Sequence, residues 1–221
     1  MHNLYHQSES YHWMAIRKRL ENIDSLSKEF LDQLEATFLD VDQFDARQFD
    51  AFPLAEIFAY LKTSHVYYLE IWLPKIENTL QELTVKFGNK YLSVQVLRMF
   101  LRKYKTELIN HIEHEEQVLF SFVEGMLQGT YSTEKKNFVI SHFLHTHNDN
   151  VVLHLDELKK DLCTFDAELK TNMVFQVLFN QLSIFQSDLL VHGLIEDSVF
   201  MKKVLNYIGT NFENTVDMTN E

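Results

Sequence analysis

His111-Ile-Glu-His-Glu115-Glu116-Gln-Val118-Leu-Phe120 has a second version further along the chain, His192-Gly-Leu-Ile-Glu196-Asp197-Ser-Val199-Phe-Met201. In each, a His and a Glu four residues apart are followed by another acid and then by apolar residues. The flanks read as helix, so imidazole and carboxylate share one face. Two helices that each turn a nitrogen and an oxygen donor toward a bundle interior can hold a pair of transition-metal ions. With 11 His in the chain, roughly one such spacing arises from composition alone. The repetition with matched flanks is what carries the signal.

The chain of 221 residues suits one sizeable core with an extension. Only 5 Gly and 2 Pro accompany 46% hydrophobic residues, which points to long helices and short connections, because hairpins need more turn residues. The expected class is all-α. A net charge of -12 with no basic run argues against nucleic acid. The single Cys163 leaves no internal disulfide and no cysteine cage, and fits a reducing compartment. The start lacks a basic segment followed by an apolar core, and no uninterrupted apolar run approaches a membrane span. The expectation is a soluble cytoplasmic protein with no membrane partner.

Residues 1–52 read as an N-terminal helical extension and linker: helical periodicity runs from Trp13 to Phe38, and an acidic, aromatic-spotted connector follows to Phe52. Residues 53–208 read as four long helices. The first starts at Pro53 and stops at Gly88-Asn89, with Pro74 inside it expected to kink or break it. The second runs from about Tyr91 to Leu127 and stops at Gly129. The third runs from Ser132 or Thr133 to about Cys163, and the fourth from Asp166 to Tyr207, ending at Gly209. Short turns between long helices give an up-and-down antiparallel four-helix bundle with an additional N-terminal helix. Residues 209–221 read as a loose polar tail. The apolar extra helix offers a surface for a homodimer.

Each long helix places a His at comparable depth in such a stack: His65, His111, His147 and His192. Four imidazoles in one core are costly unless they bind something or one another. His147 is preferred to His145 as the inward residue because it shares a stripe with Leu144 and Val151, and Asp149 is placed to orient it. His114, His142 and His154 read as solvent-facing or supporting, as do His2, His6 and His12. Tyr67, Tyr68 and Trp72, within two turns of His65, read first as core. Neither a nucleophile elbow nor a phosphate-binding glycine loop is present.

Taken together, Pro53-Leu-Ala-Glu-Ile57, Thr63-Ser-His65 and Leu73-Pro74, the two His-x-x-x-Glu phrases, and His147-Asn-Asp149 resemble the hemerythrin-like di-iron proteins. The likeness is to the family associated with repair of iron–sulfur clusters damaged by nitric oxide or oxidants, and it spans roughly residues 53 to 207. It implies that His65, His111, His147 and His192 are imidazole ligands and that Glu115 and Glu196 are bridging carboxylates of a binuclear non-haem iron centre. The further imidazole that family members carry after the first helix is absent here, where Phe87, Gly88 and Asn89 stand; water, His145 or a residue of the N-terminal extension takes its place, or else the second ion is weakly held or absent. His65 also sits one residue nearer the N-terminus than in some members, where the ligand would align with Val66.

The resemblance implies a role in the nitric oxide or oxidative stress response, with a diatomic gas as ligand and iron–sulfur proteins as partners. Two other readings stay open. The same centre could sense nitric oxide or oxygen without catalysis, the N-terminal helix reporting the change. Alternatively, the chain is a metal-depleted helical interaction protein.

Overall fold

In a computed structural model, residues 13–14, 16–130, 151–162 and 164–217 are described, and among them every regular element is helical, with no strand. The N-terminal periodic run divides in two. Trp13, Met14 and residues 16–20 are helical, a turn follows, and α1 covers Lys28–Leu39. Ser27 causes the restart: its hydroxyl accepts from the Phe30 N–H at 3.2 Å, satisfying a donor of the first turn. In place of the usual Glu three residues on, Glu56 reaches across the chain and accepts from the Ser27 N–H at 2.6 Å. Two short 3₁₀ turns, Val41–Gln43 and Ala46–Phe49, form the connector.

α2 (Leu54–Tyr67) and α3 (Leu73–Phe87) are joined by a π turn at Tyr68–Trp72 rather than by a break. Pro74 has no N–H for the Glu70 carbonyl and its ring would crowd that oxygen. The wider turn just before it, with the Leu73 N–H bonded to the Tyr68 carbonyl, keeps the chain helical. α4 (Leu92–Glu115), a π turn at Glu116–Phe120 and α5 (Ser121–Leu127) form the next run. It stops at Gly129, φ 70°, where the Thr130 N–H bonds the Gly125 carbonyl at 2.7 Å and the Gly129 N–H that of Met126 at 3.2 Å.

Most of the expected third helix lies outside the described residues; its last part is α6, Val151–Leu162. The expected fourth helix opens with a separate turn, α7 (Ala167–Lys170). Asn172 then accepts from the Val174 N–H at 3.0 Å and starts α8 (Met173–Ile195), which continues through a π turn at Glu196–Phe200 into α9 (Met201–Asp217). The helix therefore passes Gly209. That residue does not adopt the left-handed conformation that ends helices. The stretch Met173–Gly209 is long and apolar enough to cross a membrane by length and composition, and half of its most apolar window is buried within the protein. Burial to that extent is also what a core helix shows.

The chain forms two compact units. Unit 1 comprises Met1–Lys62, His114–Asn148 and Val191–Glu221, and unit 2 Thr63–Glu113 and Asp149–Leu190, so the division passes through helices. The core of unit 1 is aromatic. Phe30 meets Phe49, Phe52 and Tyr60 edge-on at centroid distances of 6.0, 5.2 and 5.9 Å. Phe58 stacks on Phe200 at 5.8 Å and meets Phe120 edge-on at 5.0 Å. The apolar face of the N-terminal extension, through Trp13, Leu20, Phe30 and Leu34, is buried in this same core. Within the extension, Arg17 pairs with Glu21 and ties the first helical piece to α1 through Asp32 and Glu35; these carboxylates raise its already high pKa. Unit 2 is leucine-rich, with Leu80, Leu83, Leu97, Leu101, Leu108 and Leu182 among its buried residues.

Candidate metal centre

His192 and Glu196 are drawn together by one helical turn at the end of α8. The imidazole Nε2 lies 3.3 Å from the Glu196 Oε2, with side-chain exposures of 7% and 1%. The Tyr60 ring packs beside the imidazole at 6.3 Å. α8 is rich in apolar residues, and Gln181, Asp188 and His192 are buried among them, whereas Gln176 and Asn180 are exposed. Glu115, also in unit 1, is 1% exposed.

His65 and His111 belong to unit 2. His65 is buried at 1%, in line with Leu61 and Tyr68 one turn away on either side. His111 is only half-buried. The inward stripe of α4 runs through Leu108, Ile112 and Glu115, and His111 sits on its flank, which corrects the expectation of four equally deep imidazoles. His114 is exposed, and His154 is half-exposed with its Nδ1 3.5 Å from Glu107, in keeping with their outward reading. His147, with His145, His142 and Asp149, lies outside the described residues, as do Cys163, His2, His6 and His12.

Among the described residues, no three His, Cys, Asp or Glu side chains converge closely enough to hold a metal ion. What converges is a nitrogen–oxygen pair. Two donors about 2.1 Å from one ion stand roughly 3.0 to 3.4 Å apart, depending on their angle, so the His192–Glu196 spacing suits one shared ion. Imidazole and carboxylate in a water-poor setting are also a donor set that iron accepts. The second acid of each phrase, Glu116 and Asp197, is exposed, which leaves Glu115 and Glu196 as the inward carboxylates. No protein-family model, curated protein or solved structure matches this chain.

Two features escaped the sequence reading. Each of the three helical runs that carry predicted ligands widens into a π turn within five residues of its histidine: after His65 at Tyr68–Trp72, after His111 at Glu116–Phe120, and after His192 at Glu196–Phe200. Such single π turns concentrate at functional sites. The spelled repetition is therefore repeated in the backbone.

The other is Asp188, a carboxylate 2% exposed in unit 2. It accepts from Tyr68 Oη and Trp72 Nε1, both at 3.3 Å. Tyr68 and Trp72 are thus core residues, as expected, with their polar ends occupied. The signal was present in the sequence: Asp188 precedes His192 by four residues, as Glu107 precedes His111, so the pattern common to both phrases begins one turn before each histidine.

Proposed function

We propose that this chain is a hemerythrin-like protein: an up-and-down four-helix bundle with an added N-terminal helix, holding non-haem iron through His65, His111, Glu115, His147, His192 and Glu196. The reading places it in the cytoplasm, in the response to nitric oxide or oxidants, with iron–sulfur proteins whose damaged clusters it helps restore as partners. The observation that carries it is the π turn beside the ligand in the three predicted ligand helices whose histidines are described, those of His65, His111 and His192. The buried His192–Glu196 pair adds support.

Bound there, iron would supply open coordination positions and one-electron chemistry toward a diatomic gas. The protein's own share is to hold a buried imidazole and carboxylate in a fixed relation, cover the imidazole with the Tyr60 ring, and keep the second acids outward. A sensing role has its own support, because the 3₁₀ turn Ala46–Phe49 of the extension packs against the π turn Glu196–Phe200 within unit 1. Lys203 also donates to the Asp50 carbonyl at 2.9 Å.

The test is anaerobic loading with ferrous iron, followed by desalting, metal analysis and optical spectroscopy after exposure to nitric oxide. Iron well above background with a charge-transfer band is expected for the full chain. A large loss of both is expected in His192→Ala and in Glu196→Gln. Background iron in the unaltered protein, or iron content indifferent to both changes, would sink the proposal.

A further inference from the structure

Unit 2 contains a cavity of about 210 Å³ that uses none of the six predicted ligands. Its floor is apolar, built from Leu73 and Ile76 of α3, Leu101 of α4, and Leu182 and Phe185 of α8, all buried. Its rim is cationic, because Arg98, Arg102 and Lys105 recur at the helical spacing that puts them on one face of α4. In a chain with 20 basic and 32 acidic residues, three cations around one opening invert the prevailing charge. Lys105 is matched by Glu77, whose two oxygens lie 2.8 Å from its ammonium. Arg98 and Arg102 enter no ion pair among the described residues, so the lining keeps an excess of two guanidinium groups.

Guanidinium forks match carboxylate geometry, and an apolar floor without charge rejects a second polar end. Size narrows the class further. A cavity of about 150 Å³ accepts a benzene ring, so 210 Å³ takes roughly eight non-hydrogen atoms, with the head group at the rim. From this geometry we infer that unit 2 binds a small amphiphilic monocarboxylate, with an alkyl or aryl tail of about six to eight carbons on Leu101, Leu182 and Phe185 and the carboxylate on Arg98 and Arg102. This site is independent of the iron reading and remains if that reading fails.

Octanoate is the probe, titrated into the full chain by calorimetry, with octan-1-ol and acetate as the tail-only and head-only controls. Saturable binding of octanoate is expected, at least about tenfold tighter than either control, because a charge-assisted hydrogen bond is worth about a factor of ten or more. Arg98→Gln combined with Arg102→Gln should weaken octanoate about tenfold or more and leave octan-1-ol unchanged. Both residues lie at the cavity rim rather than in the core, so the thermal midpoint should hold. Gln81→Trp, an exposed lining position, should block octanoate by filling the mouth. Three results would overturn the site: no saturable binding, binding untouched by the double arginine change, or acetate binding as tightly as octanoate.

Discussion

The two copies of the repeated phrase share a local code but not an environment. Both place a buried Glu beside a π turn and end in a buried phenylalanine, Phe120 or Phe200. Around that common part the copies diverge. On α8 the histidine and the preceding Asp188 are buried, whereas on α4 His111 is half-buried and Glu107 faces Lys103 at 3.3 Å and His154 at 3.5 Å near the surface. α4 is amphipathic and α8 is apolar almost all round, so one spacing yields a rim position in one helix and a core position in the other. Spacing sets which residues share a face. The neighbours set how deep that face lies.

The sharpest way to break the likeness is at its aromatic ends. Phe200→Ala and Phe120→Ala should each cost about 3–5 kcal/mol, since both rings are fully buried and both pack on Phe58. Urea unfolding of the two variants checks this, and a gap of several kcal/mol between them would show that the copies are not equivalent in packing. The divergent acids come next. Asp188→Ala strands the buried Trp72 N–H and leaves the Tyr68 hydroxyl only the backbone carbonyl of residue 188, 3.3 Å away, and should cost about 1–3 kcal/mol, against less than about 1 kcal/mol for Glu107→Ala at the surface.

Two glycines test the helix ends beyond each copy, with opposite signs. Gly129→Ala forces a side chain into the left-handed region and should lower stability by about 1–2 kcal/mol. Gly209→Ala falls within a helix with open space around the added carbon and should raise it by about 0.5–1 kcal/mol. The smallest effect belongs to a surface acid, its side chain 36% exposed, that serves as a reference for the buried ones. Asp45, hydrogen-bonded by the Arg47 side chain and backbone, is held at a pKa of about 2. Its folded-state pKa is depressed, so its contribution is present above the ordinary carboxylate pKa of 3.8 and fades as pH falls toward 2. An NMR titration should find the carboxyl near 2, and Arg47→Ala should return it toward 3.8.

The helical class was legible because apolar periodicity and scarce breakers are strong, local signals, and Pro53, Gly88 and Gly129 fall at or next to helix ends as their chemistry predicts. Less legible were the interruptions. Ser27 and Asn172 cap helices in the middle of runs whose periodicity continues across them, since a capping side chain weighs little in a pattern dominated by leucine spacing. Gly209 misled in the other direction, because glycine stops a helix only when the backbone turns left-handed there. At the candidate centre, the inward carboxylates could be read from spacing. The half-buried state of His111 could not, as it depends on which residues flank the stripe in space. The π turns were invisible for a similar reason: one extra residue in a helical turn leaves composition unchanged.

The bond from the Ser27 N–H to Glu56 makes the beginning of one helix conditional on the beginning of another. A shortened version starting at Pro53 would strip the partner from a carboxylate only 7% exposed and bare the Tyr60 ring, against which Phe30 packs edge-on. Whoever trims this protein for biophysics should cut ahead of Trp13, and treat an insoluble shorter piece as a fault of the scissors rather than a failing of the helices that remain.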